Sequence, residues 1–204
     1  MAEKKTVRDI EVSGKRVLVR VDFNVPFKPG TDEISNSNRI VASLPTIRYL
    51  LGRGASVVLC SHLGRPGGRS IQELSLRPIR GRLAQYLDMR VSFSESTNFQ
   101  RIQQDVSRIT PGEVILLENL RFHPGEEANT VEFSKKLSDL AEFFVNDAFG
   151  ASHRAHASIQ GITEFLPSVA GLLLEEEIRS LEKVLLDPLR PFVAVLGGAK
   201  VSDK

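Results

Sequence analysis

Asp22 and Asn24, then Arg39, then His62 and Arg65, then Asn119 and Arg121, and last His153, Arg154 and His156 are the residues whose types and spacing could do chemistry. A guanidinium group binds phosphate or carboxylate through parallel N–H donors. Arg39, Arg65, Arg121 and Arg154, with no acids matched to them in the sequence, point to a small polyanionic ligand. Asp22 and Asn24 suit a hydroxyl group on that ligand. Taken singly, each arginine reads more readily as a solvated loop residue, and Asp22–Asn24 as a polar strand end closing an Asx turn. Their joint placement decides between these readings, and that depends on the elements that carry them.

Val17–Val21 is a short, bounded, β-branched run, the mark of a buried strand, and Pro26 requires that strand to have ended. Asp22 and Asn24 lie just past its carboxyl end. Ile40, Leu44, Ile47 and Leu51 then follow a helical period, with Pro45 marking either a kink or a start near Ser43. Ala55–Cys60 is a second strand and runs into the loop Ser61–Gly68, which holds His62 and Arg65. Ser75 can cap a second helix with Ile79, Leu83 and Leu87 on one face, and its Arg77, Arg80 and Arg82 read as a solvated face. Arg90–Phe93 is a third strand, Asn98–Arg108 a polar helix, Glu113–Glu118 a fourth strand, and Asn119–Gly125 the loop after it. Val131, Leu137 and Leu140 belong to a further helix, and Glu142–Val145 is a fifth strand ending at Asn146-Asp147. A long amphipathic helix is expected from Pro167 to Asp187, with the stripe Leu174, Ile178, Leu181 and Leu185. Phe192–Leu196 is a last strand.

Strands alternating with helices, and apolar almost throughout, predict an α/β fold: a Rossmann-like, three-layer parallel sheet with helices on both faces. Every strand then delivers its carboxyl end to one edge, where ligands bind in open α/β sheets. The arginines and histidines named above all fall on those loops.

Composition agrees. The chain has 204 residues, 41% hydrophobic and 25% charged, enough to bury a core. The net charge of +2 gives no broad field for nucleic acid or membrane, so the basic residues that matter act locally. Cys60 is the only cysteine, which excludes an internal disulfide and suits a reducing cytosol. No apolar run is long enough to span a membrane, and Met1–Lys5 lacks the apolar core of a signal peptide. At the far end, Gly197-Gly198-Ala199-Lys200 follows a strand and could cradle phosphate on backbone N–H groups, although it is not a Walker A motif. A plain glycine-rich loop is the alternative.

Arg20-Val21-Asp22-Phe23-Asn24-Val25-Pro26, Ser61-His62-Leu63-Gly64-Arg65-Pro66, Leu117-Glu118-Asn119-Leu120-Arg121-Phe122, Asn146-Asp147-Ala148-Phe149-Gly150, His153-Arg154-Ala155-His156 and Gly197–Lys204 together resemble the phosphoglycerate kinase family, in order and along the whole chain. The resemblance implies two Rossmann-like domains joined by a long helix. One binds 3-phosphoglycerate, and the other binds ATP or ADP with magnesium. It implies a phosphoglycerate site of Asp22, Phe23, Asn24, Arg39, His62, Leu63, Gly64, Arg65, Arg121 and Arg154. Arg39 and Lys204 would be catalytic, Gly197, Gly198, Lys200 and Lys204 would face the nucleotide, and no residue here would ligate the metal. Asn36-Ser37-Asn38 departs from the family pattern, which often has an acid there.

On this reading residues 1–166 form the substrate domain, 167–188 the interdomain helix and hinge, and 189–204 the start of a nucleotide domain that is mostly missing. The expected activity is phosphoryl transfer between 1,3-bisphosphoglycerate and ADP, giving 3-phosphoglycerate and ATP, with this chain inactive alone. The expected setting is a cytoplasmic monomer with neither nucleic acid nor membrane as partner. A stand-alone sugar-phosphate or carboxylate binding module and a basic-loop nucleic-acid binder remain as alternatives at this point.

Overall fold

The computed structural model describes residues 4–186 and 188–193. Its strands are β1 (Arg16–Val21), β2 (Ser56–Cys60), β3 (Val91–Ser94), β4 (Val114–Leu117), β5 (Phe143–Asp147) and β6 (Ser168–Ala170). They form one sheet in the order β3-β4-β2-β1-β5-β6, and every pairing is parallel. The helices are α1 (Asn38–Gly52), α2 (Arg77–Leu87), α3 (Phe99–Ser107), the single turn α4 (Pro124–Glu127), α5 (Val131–Ser138) and α6 (Leu172–Leu186).

The period of two along β1 divides the core. Val17, Val19 and Val21 pack with Ile40, Leu44, Ile47 and Leu50 of α1 and with Ile79 and Leu83 of α2. Leu18 packs on the opposite face with Ile102 and Val106 of α3 and with Phe133 and Leu137 of α5. The expected three-layer α/β sheet is the one found. Because side chains alternate along a strand, Arg20 shares the face of Leu18. It is fully buried there, below the carboxyl ends of the strands. The chain leaves β1 and β2 toward one face and β4 and β5 toward the other, so their ends border a crevice of the kind that binds ligands in open sheets.

Several local expectations shift. Pro45 neither starts nor stops α1, which runs through it from Asn38. The Ser75 hydroxyl accepts from the Arg77 N–H at 3.2 Å, just outside the helix it was expected to cap. The loop expected after β4 contains α4. The helix expected from Pro167 begins at Leu172, and Ser168–Ala170 is instead a sixth strand paired with β5. The sheet therefore extends past residue 166. Gly171 separates strand from helix, and only glycine fits there, because a Cβ would lie 2.2 Å from Asp147 Oδ1.

The first turn of α6 is held by side chains from elsewhere in the fold. Asp147 Oδ1 accepts from the Leu173 and Leu174 N–H groups at 3.0 and 3.2 Å, and the Thr46 hydroxyl accepts from Leu172 N–H at 2.9 Å. Of the α6 stripe, Leu174 is buried, whereas Leu181 and Leu185 are exposed, so only the first half of the helix docks on this unit. Most of the expected strand Phe192–Leu196 lies outside the described residues, as do Gly197, Gly198, Lys200 and Lys204.

Candidate functional site

The crevice is assembled by backbone and amide contacts among its loops. Gly64 takes φ +61°, a left-handed conformation that favours glycine. Its N–H donates to Asn24 Oδ1 at 3.0 Å, and its carbonyl accepts from Arg121 Nη1 at 2.7 Å. Gly64 thus joins the loops after β1, β2 and β4. Asn119 fixes the same junction: its Nδ2 donates to the Leu63 and Leu74 carbonyls, while its Oδ1 accepts from the Arg121 N–H at 3.1 Å. Phe23 and Leu63 send their side chains into the core, so what they offer the crevice is backbone. The Phe23 N–H is already bonded to Ser61 Oγ at 2.8 Å.

Arg39, at the start of α1, is half exposed and bonds Asp22 Oδ2 at 2.5 Å. Asp22 in turn abuts Gly150 of the turn after β5, where a Cβ would lie 2.9 Å from the carboxylate. Arg121 is buried, and its Nε faces Glu127 Oε1 of α4 at 3.2 Å. These two contacts correct the expectation of arginines without matching acids. Asp22 and Glu127 hold two guanidinium groups in place, and both acids are brought there by the fold. Arg65 is exposed, Arg154 is partly buried, and neither forms an ion pair among the described residues.

Beneath the crevice lies a buried polar network that no single stretch of sequence shows. The Arg20 guanidinium donates from Nε to Ser158 Oγ at 2.9 Å and from Nη1 to the Val21 carbonyl at 2.5 Å, and its Nη2 lies 3.0 Å from His62 Nδ1. The Ser158 hydroxyl passes the contact on, donating to Glu126 Oε1 at 2.6 Å. The Glu126 carboxylate is fully buried, and its Oε2 also accepts from the Ser158 N–H at 3.0 Å.

The network determines the state of His62. A guanidinium can only donate, so Nδ1 must accept, which leaves the proton on Nε2 as a donor. Burial holds the His62 pKa far below the imidazole range, and the charges of Arg20, Arg121 and Arg154, with His156 beyond them, push it the same way. His62 is therefore a neutral N–H donor set among guanidinium groups. His156 is lowered by burial and partly restored by Glu126, toward which its Nδ1 lies at 3.8 Å. Arg20, Glu126 and Ser158 are the parts of this site that sequence reading missed. The available signal was an arginine inside an otherwise apolar strand.

What the fold and site define is a parallel α/β unit whose strand ends bring together Asp22, Asn24, Arg39, His62, Gly64, Arg121 and Arg154. A family model described as phosphoglycerate kinase matches residues 7–204, and the chain belongs to that family. A curated phosphoglycerate kinase from Moorella thermoacetica (strain ATCC 39073 / JCM 9320) is 52% identical over 201 residues, covering 98% of this chain and 51% of that protein. The solved structure of phosphoglycerate kinase from Coxiella burnetii shares 38% identity at a TM-score of 0.86. That from Pyrococcus horikoshii OT3 shares 36% at 0.88. Each is matched over 98% of this chain and 50% of its own. The chain thus spans about half the length of the relatives it matches.

Proposed function

We propose that the crevice binds 3-phosphoglycerate and 1,3-bisphosphoglycerate, and that the chain supplies the substrate-binding half of the phosphoglycerate kinase reaction. The observation that carries this is the convergence of Arg121, Arg154 and the neutral His62 with the Asp22–Arg39 pair on one sheet edge. Arg65, Arg121 and Arg154 anchor the remote phosphate, His62 donates from Nε2, and Asp22 and Asn24 engage the hydroxyl. Arg39, prepositioned by Asp22, steadies charge on the phosphoryl group in transit. Phosphoryl transfer asks chiefly for positioning and charge stabilisation, and a carboxylate acceptor needs no general base. That accounts for a site of arginines without a catalytic triad. In domain terms, the substrate unit runs to Gly171 and α6 leads out of it.

The second substrate of this reaction is ADP or ATP with magnesium. The residues assigned to it, Gly197, Gly198, Lys200 and Lys204, lie outside the described residues. Among the described residues no group of three His, Cys, Asp or Glu side chains could hold a metal ion. The roles above are therefore confined to the phosphoglycerate side. No helix among the described residues is long and apolar enough to cross a membrane.

Calorimetric titration of this chain with 3-phosphoglycerate tests the reading. Binding with a Kd of about 1 mM or tighter is expected, weakening with added salt because the contacts are charge-assisted. Arg65→Ala, at an exposed position, should weaken binding about tenfold through loss of one charged hydrogen-bonding group. Arg39→Ala should leave the affinity nearly intact and lower kcat where turnover is assayed, because its charge is used in the transition state. Absence of both heat and thermal shift at millimolar ligand would overturn the proposal.

A further inference from the structure

The loop after β5 carries Arg154 and His156, yet residues 152–160 belong to no helix or strand. One end of this stretch is closed by its own turn, in which the Arg154 N–H donates to the Ala151 carbonyl at 3.1 Å. The other end is held from α4, by a single residue. The Glu126 carbonyl accepts from the Ala157 N–H at 2.9 Å. Its carboxylate accepts twice from Ser158, from the N–H on Oε2 and from the hydroxyl on Oε1. Glu126, Ala157 and Ser158 are all fully buried, so these bonds are shielded from water.

The same carboxylate reaches the loop after β2. Because the Ser158 hydroxyl gives its proton to Glu126, it meets the Arg20 Nε–H as an acceptor. That bond fixes one side of the guanidinium fork, and Nη2 on the other side lies against His62 Nδ1. An amide cannot stand in for the acid. Both oxygens must accept, whereas glutamine offers one acceptor and puts a donor in place of the second. Charge alone disfavours an acid at this position. A carboxylate beside an anion-binding crevice repels the ligand, and a fully buried one is costly to desolvate. Its contribution is geometry.

We propose, on the reading of the crevice as a 3-phosphoglycerate site, that Glu126 is a positioning residue for that ligand. It sets the backbone that carries Arg154 and, through Ser158 and Arg20, keeps the His62 proton on Nε2, where it is offered as a donor. The one-turn helix α4 thus ties the loops after β2 and β5 into one rigid receptor without touching the ligand itself.

Glu126→Gln separates position from charge. If Glu126 acted as a charge alone, its loss would tighten 3-phosphoglycerate binding. As a positioning residue, its loss should weaken binding about tenfold, the effect of misplacing a charged hydrogen bond. Glu126→Asp, which keeps the charge on a shorter arm, should not restore it. The ring-nitrogen resonances of His62 give a second readout that needs no ligand. Near neutral pH the parent chain should show a neutral ring with its proton on Nε2, and in Glu126→Gln the two tautomers should mix. Cooperative thermal unfolding identifies the variants that fold. Should Glu126→Gln fail to fold, Ser158→Ala, which keeps the carboxylate and removes the relay, should move both readouts in the same direction. Tighter or unchanged binding by folded Glu126→Gln would overturn the proposal, as would a parent His62 carrying its proton on Nδ1. A parent chain that binds no 3-phosphoglycerate would overturn the reading of the ligand instead, and the His62 tautomer would still decide whether Glu126 controls it.

Discussion

Replacing Arg20 with methionine is expected to destabilise the fold by about 3–5 kcal/mol, the usual loss when one partner of a buried charge network is removed. Methionine keeps most of the volume in β1, so packing alone predicts a small change. The polar groups left behind predict a large one. Glu126 would remain fully buried without the cation that reaches it through Ser158, while His62 Nδ1 and the Val21 carbonyl would lose their donors. Arg20→Lys should fall between, since a single ammonium cannot reach three acceptors set around a planar fork. Urea denaturation of the three proteins measures this. Arg20→Met combined with Glu126→Gln separates the causes: if the uncompensated carboxylate dominates, the double variant recovers part of the loss. Arg20→Met as stable as the parent chain would show that the network contributes nothing to the fold.

Arg20 also shows where sequence reading stops. Val17–Val21 announces a buried strand, and the polar residues after it announce a strand end; both survive in the structure. Alternation along that strand places Arg20 on the Leu18 face, but nothing near it in the chain says what it meets there. Its contacts come from Ser158, 138 positions away, and from His62, 42 away. The acids that hold Arg121 and reach Arg20 come from α4, a single turn too short to leave a periodic signal. The same limit explains α6. Its apolar stripe continues smoothly into Ser168–Ala170, so periodicity alone begins the helix too early. The break at Gly171 is set by Asp147, which belongs to another strand. The loop residues of the crevice were legible because an edge of parallel strands gathers them whatever the details of packing. The buried residues that orient them were not, because their pairing is a matter of tertiary geometry.

The acid limb of the stability curve should be set by opposing side chains, and variants should separate them. His62 is held far below its ordinary pKa by burial and by the arginines around it. Its contribution is present above the unfolded value near 6.5 and is lost as pH falls, at about 1.4 kcal/mol per pH unit. His123, partly buried, is lowered to about 4 by burial and then by Lys136, so it acts in the same direction over the narrower window between 6.5 and 4. Asp147 acts the other way. Burial raises its carboxyl to about 6, against the Thr46 hydroxyl and the Leu174 and Leu173 amides that pull it down, and Oδ2 has no hydrogen-bond partner. The folded state therefore holds that proton more tightly. The stabilisation is full below the unfolded value near 3.8 and is lost as pH rises through about 6. Between pH 6 and 4 the gain at Asp147 nearly offsets the loss at His62, and His123 leaves a net decline of about 1 kcal/mol per pH unit. Asp147→Asn keeps an oxygen for the Leu173 and Leu174 N–H groups but cannot titrate, so its stability should fall more steeply over this window, by about 1.4 kcal/mol per pH unit. His62→Gln offers an acceptor to Arg20 without a titrating ring, and its stability should hold or rise over the same window. Denaturation midpoints of the parent chain and both variants from pH 7 to pH 4 test the balance, because the exposed carboxylates are common to all three and cancel in the differences. Three parallel limbs would mean that neither buried group changes its proton affinity on folding.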